Sequence, residues 1–209
     1  VREHVNPLSE KYQTPIESPD WQQIYADLTA PLHLDIGSGK GRFLLEMARL
    51  QPDWNFLGLE IREPLVEQAN GWRDELGLVN LQYLFCNVNN SLRPILSSLP
   101  SGNLRQVTIQ FPDPWFKRKH QKRRVVQAEL VRDLAEFVVS GGSVFIQSDV
   151  LEVAIAMREH FAAHPAFTRQ SADPASDWLD RNPLPVPTER ETATLKRGEA
   201  VYRAQFTRV

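Results

Sequence analysis

Leu34-Asp35-Ile36-Gly37-Ser38-Gly39-Lys40-Gly41 decides the fold of this chain: an apolar run ends in a carboxylate and breaks into glycines at alternate positions. Directly after it, Phe43, Leu44 and Met47 set a helical period. The eight residues read as a strand, a tight turn and a helix N-terminus, where a ligand can approach bare backbone and meet unpaired N–H groups. Working outward, residues 32–36, 55–60, 81–85, 104–110 and 143–147 read as short apolar strands. Helical patterns lie between them. Pro64 suits a first helical position, with Leu65, Ala69, Trp72 and Leu76 on one face and Gly77 as the stop. A second pattern, Gln127, Leu130, Val131, Leu134, Ala135 and Val138, closes at Gly141 and Gly142. Strand and helix alternating in series predict an α/β fold with a doubly wound, mostly parallel sheet. Residues 200–209 alternate like a half-exposed strand and are expected to add to it antiparallel.

The glycine turn fits some ligands better than others. A phosphate-binding Walker loop needs Gly-Lys-Ser/Thr, whereas Lys40 precedes Gly41; the dinucleotide fingerprint needs a glycine where Arg42 stands. Asp35 at the strand tip would oppose a pyrophosphate and suits a ligand with an amine and a positive centre, such as S-adenosylmethionine. Gly37 and Gly39 would let it approach. Glu60 closes the second strand 19 residues beyond Gly41, where a carboxylate can accept from two ribose hydroxyls. Asn87 ends the third strand, and its amide oxygen can accept from an adenine amino group or serve a turn.

A second stretch, Phe111-Pro112-Asp113-Pro114-Trp115-Phe116-Lys117-Arg118-Lys119-His120-Gln121-Lys122-Arg123-Arg124, sets a carboxylate between two prolines and follows it with six cations. Each proline pushes the residue before it toward extended geometry, so Phe111 and Asp113 are expected to be extended and Asp113 to sit on a stiff turn. The whole chain carries 24 Lys+Arg against 26 Asp+Glu, a formal charge of −2. Setting the six cations aside leaves 18 against 26, or −8, so the positive charge is local. An acidic body with one basic stripe suits a phosphate-bearing polymer, although a solvated charge run has the same composition. A helix is expected to start near Arg123 or Arg124, where its dipole opposes cations; local stability therefore does not explain Lys117, Arg118, Lys119, Lys122, Arg123 and Arg124, whereas RNA phosphates do. Trp115 can stack on a base or belong to the core.

At 209 residues with 42% apolar content, the chain is expected to form one domain over residues 21–209, preceded by a flexible N-terminal arm, 1–20. Its single cysteine, Cys86, excludes an intrachain disulfide and points to a reducing compartment. With no signal-peptide core and no long apolar run, a cytoplasmic protein without membrane contact is expected, as a monomer or homodimer. No metal is expected: His160 and His164 stand four apart, but no third ligand accompanies them and both suit a helix C-terminus. Thr188-x-x-Glu191 matches a capping box, and Asp149, just past the fifth strand, either caps a helix or meets a ligand at the sheet edge.

The pattern Asp35-x-Gly37-x-Gly39-x-Gly41 followed by Glu60 resembles the class I S-adenosylmethionine-dependent methyltransferases, which have a Rossmann-like fold. Phe-Pro-Asp-Pro-Trp-x-Lys-x-x-His-x-Lys-Arg-Arg from Phe111, with Pro187-Thr188-x-x-Glu191, resembles the tRNA (guanine-N7)-methyltransferases, the TrmB family, from Leu32 onward. The resemblance implies methyl transfer to N7 of a variable-loop guanine of tRNA. It places cofactor contacts at Asp35, Glu60 and Asn87, the catalytic carboxylate at Asp113, and substrate contacts at Lys117, Asp149 and Thr188 to Glu191. Many members carry Asp where this chain has Asn87. Two alternatives stand beside it. One is a methyltransferase for an exocyclic amine of a nucleic-acid base, whose usual Asp/Asn-Pro-Pro-aromatic pattern differs from Asp113-Pro114-Trp115. The other is a non-catalytic RNA-binding module, which would not need Asp35, the glycines and Glu60 in register.

Overall fold

The apolar runs become β1 (Leu32–Ile36), β2 (Asn55–Glu60), β3 (Leu81–Phe85), β4 (Leu104–Gln110) and β5 (Ser143–Ser148) in a computed structural model that describes residues 5–170 and 178–209. Two further strands are β6 (Phe167–Gln170) and β7 (Tyr202–Arg208). The helices are α1 (Trp21–Ile24), α2 (Arg42–Leu50), α3 (Glu63–Glu75), α4 (Val88–Ser97), α5 (Ala128–Phe137), α6 (Leu151–Ala162) and α7 (Glu189–Lys196). One seven-stranded sheet runs β3-β2-β1-β4-β5-β7-β6, parallel from β3 to β5, with β7 antiparallel to both β5 and β6. The winding reverses between β1 and β4, so a crevice opens beyond their C-terminal ends, where sheets of this kind bind ligands.

Helices cover both faces. Apolar side chains of α1, α4, α5 and α6 pack with Leu34, Leu57, Val107 and Ile146 on one side. On the other, α2 and α3 pack with Phe56, Leu81 and Tyr83. Burial on two sides is why these strands are continuous apolar runs rather than alternating ones. Tyr83 also fixes the glycine turn: its hydroxyl donates to the Gly41 carbonyl at 2.5 Å. A Cβ on Gly41, whose φ is 77°, would fall 2.7 Å from the Ala69 Cβ and 2.8 Å from the Tyr83 ring. Only glycine fits there, and α2 starts immediately after it.

Three expectations change. Residues 118–123 form a 3-10 segment, and α5 begins only at Ala128. The Gln127 amide donates to the carbonyls of Gln121 and Arg124 and so closes that segment before the helix starts. The cations therefore do not oppose the α5 dipole. Phe111 is not extended: its φ is 52°, and that of Trp115 is 45°. Phe111 N–H still donates to the Gln147 carbonyl at 2.8 Å, and its ring is buried under the Arg190 guanidinium, contacts that outweigh the preference set by Pro112. The part of the expected N-terminal arm that is described lies against α4. Asn87 Nδ2 donates to the carbonyls of Pro7 and Tyr12, Asn90 Nδ2 to that of Tyr12, and Ser91 Oγ accepts from Ile16 N–H. Residues 1–4 lie outside the described residues.

Candidate active site

The C-terminal ends of β1 to β4 surround a cleft of about 130 Å³ that opens to solvent at its mouth. Gly37, Glu60, Arg62, Asn87, Asp113 and Arg123 line it together. Gly37 and Gly39 have φ values of 79° and 57°; a Cβ on the first would meet nothing within 4 Å, and on the second only Arg62 Nη2, at 3.9 Å. The turn thus presents bare backbone to open space. Beside it, Ser38 Oγ is buried with no hydrogen-bond partner among the described residues.

Beneath the turn, Asp35 is buried and accepts from the Thr108 hydroxyl at 2.6 Å. Burial raises its carboxyl to about 6; the Thr108 bond and the Gln110 amide oppose the rise, and the charge of Glu60 adds to it. His33 Nε2 lies 3.0 Å from the same Thr108 oxygen. Since the hydroxyl proton points at Asp35, His33 donates from Nε2, and burial keeps its imidazole neutral by lowering it to about 3. Glu60 is also buried and accepts from Gly39 N–H at 2.7 Å, so the acid of β2 and the turn after β1 are locked together. These groups fit S-adenosylmethionine: Glu60 in the cleft wall for its diol, Asp35 buried beneath the turn for its amine, and bare backbone for close approach.

Asn87 also has structural partners. Its Oδ1 accepts from Asn89 N–H as the N-cap of α4, and its Nδ2 holds the N-terminal segment, although the residue does line the cleft. Cys86 lines the cleft too, and burial pushes its thiol up to about 12, so it is inert.

At the mouth, Asp113 is exposed on a loop bracketed by the left-handed Phe111 and Trp115. The Arg123 guanidinium lies 5.0 Å from the Trp115 ring and faces the cleft. Lys117, Arg118, Lys119 and Lys122 are exposed along the 3-10 segment. Arg124 is not part of that face. It is buried, donating to Glu152 at 2.6 Å and to the Pro114 carbonyl at 2.8 Å, which corrects the expectation that it meets RNA.

Glu191 is corrected likewise. At 2% exposure its carboxylate accepts from Arg203, Gln147 and Asn182 inside the protein. Thr188 caps α7, its Oγ1 accepting from Glu191 N–H at 3.1 Å. Asp149 does not cap α6; it takes both prongs of Arg190, at 2.9 and 3.0 Å. Because Arg190 also lies 5.5 Å from the Phe111 ring, it ties α7 to the Asp113 loop. Sequence reasoning missed Arg62, although it stands only two residues beyond Glu60, and Arg190, which only the folded chain brings beside Phe111. Among the described residues, no group of three or more His, Cys, Asp or Glu could hold a metal, and no helix is long and apolar enough to cross a membrane.

Solved methyltransferases share the fold at low sequence identity. An rRNA methylase from Streptococcus thermophilus superposes with a TM-score of 0.55 at 12% identity, over 90% of each chain. TrmN from Thermus thermophilus gives 0.57 at 14%, over 86% of this chain and 44% of that one. A family model described as "Putative methyltransferase" matches residues 29–204. The tRNA (guanine-N(7)-)-methyltransferase of Trichormus variabilis is 60% identical across 100% of this chain and 96% of its own. That of Synechococcus elongatus is 61% identical over the same shares. With two such relatives matched from end to end, the chain belongs to the tRNA (guanine-N(7)-)-methyltransferase family.

Proposed function

We propose that this chain methylates N7 of a variable-loop guanine in tRNA, with S-adenosylmethionine as the donor. The observation that carries the reading is Asp113, held by Pro112 and Pro114 at the mouth of a cleft floored by Gly37 and Glu60. When bound, the cofactor supplies a methyl group activated by its sulfonium. Glu60 would accept from its ribose, Asp35 would attract its amine through the turn, and the backbone at Gly37 and Gly39 would let it lie close. Guanine N7 already carries a free lone pair, so no general base is required. The task left to the protein is to align N7 with the methyl carbon and favour the positive charge that moves onto the purine. Asp113 does both, accepting from guanine N–H groups while its charge favours the developing cation.

Lys117, Arg118, Lys119, Lys122 and Arg123 hold the RNA backbone. Asp149 and Thr188 act one step back, by fixing α7 and Arg190 against Phe111. Incubating the protein with labelled S-adenosylmethionine and unmodified tRNA, then digesting to nucleosides, should give labelled 7-methylguanosine. Label on an exocyclic amine would favour that methyltransferase class instead. Retained tRNA with no label would leave a binding module.

A further inference from the structure

Glu60 is crowded with donors. Its Oε1 accepts from the backbone N–H groups of Ile61 and Arg62 at 3.0 and 3.1 Å and from Arg62 Nε at 3.0 Å. Its Oε2 accepts from Gly39 N–H at 2.7 Å and from Arg62 Nη2 at 3.2 Å. An ionised carboxylate offers about four acceptor sites, so two ribose hydroxyls cannot simply join this set. Three of the donors are backbone, fixed by β2 and the glycine turn. Only the two guanidinium donors sit on a side chain free to rotate, and that side chain is 39% exposed at the edge of the cleft. Two guanidinium bonds can thus be exchanged for two hydroxyl bonds.

We propose that Arg62 holds the ribose seat on Glu60 until the ribose hydroxyls displace it into the cleft mouth, where its guanidinium binds a tRNA phosphate. The proposal rests on the reading of Glu60 as the ribose acceptor. A displaced arginine stays charged and loses its buried partner, so it needs a new planar acceptor, and phosphate matches its fork geometry. The mouth is where the RNA arrives, since Asp113, Trp115 and Arg123 line it with Arg62. Asp113 is near enough for its charge to act on Arg62, and the proposed function assigns that carboxylate to the guanine. Cofactor and tRNA then strengthen each other's binding, as reciprocity requires.

The test compares wild type, Arg62→Ala and Arg62→Gln. S-adenosylhomocysteine binding is measured by calorimetry, and binding of unmodified tRNA is measured with and without that ligand. With the internal competitor gone, both variants should bind S-adenosylhomocysteine about two- to fivefold more tightly than wild type. In wild type the ligand should tighten tRNA binding by about fivefold or more, and in the variants it should change nothing. Weaker S-adenosylhomocysteine binding in both variants would make Arg62 an ordinary cofactor contact and overturn the proposal. So would a wild-type tRNA affinity indifferent to the ligand, or tightening that persists without Arg62. If Glu60→Ala binds S-adenosylhomocysteine as wild type does, the ribose reading itself fails, an outcome distinct from any given by the Arg62 variants.

Discussion

Asp113 stands on a loop whose ends carry backbone strain, with φ of 52° at Phe111 and 45° at Trp115. Non-glycine residues in that region cost about 1–3 kcal/mol each, and the surrounding contacts must hold them there. Asp113→Ala should lower the methyl-transfer rate well over tenfold, about 1.4 kcal/mol or more of barrier, while tRNA affinity by filter binding stays near wild type. Asp35 makes a separate prediction. Its carboxyl titrates at about 6 against an ordinary 3.8, so its protonated form favours the fold. That contribution, roughly 3 kcal/mol, is complete below the ordinary value and is lost as pH rises through about 6. A ligand amine favours the ionised form, so S-adenosylhomocysteine affinity should rise as pH increases through about 6 and level off above it. Calorimetry from pH 5 to 8 checks this, and Asp35→Asn should flatten the curve. These residues stood out in the sequence because each breaks a local pattern. Arg124 and Glu191 did not: a buried, paired charge reads like a surface charge until its partner, Glu152 or Arg203, is brought in from a distant stretch.

The parallel strands were legible because burial on both faces demands unbroken apolar runs. By contrast, β6 is Phe-Thr-Arg-Gln, with one buried residue, and α4 contains Pro94, a helix breaker in most contexts. Both depend on tertiary partners. The tie between α4 and the N-terminal segment gives Asn87 a reason to be an amide, since a carboxylate could not donate to the Pro7 and Tyr12 carbonyls. Asn87→Asp should keep the α4 cap and release that segment, seen as faster amide exchange over residues 7–16 with little change in the sheet. For α7 the sign differs. Glu191→Ala would leave Arg203 buried without its counter-charge, which costs about 3–5 kcal/mol. Chemical denaturation should show that loss directly, and reduced activity in this variant would come from a displaced α7 rather than a missing substrate contact.

Over the whole molecule, the charge is arranged rather than large. Without the six cations the body carries a formal −8, which repels nucleic acid, whereas Lys117 and the 3-10 segment after it display Lys117, Arg118, Lys119 and Lys122. Replacing these four with glutamine should weaken tRNA binding and make its dependence on log salt shallower by about 0.7–0.9 for each phosphate no longer neutralised. Fluorescence titration at several salt concentrations measures it. Arg124→Gln should behave differently, lowering thermal stability with the salt slope unchanged. The position of β7 has a consequence in time. It lies between β5 and β6, yet it is synthesised after both, so on the ribosome those two strands wait unjoined while the glycine turn, β2 and β4 can already assemble. Arg203 arrives with β7, and Glu191 has no counter-charge before then. A nascent chain would therefore complete its cofactor half first and acquire a settled α7 only as its last strand emerges.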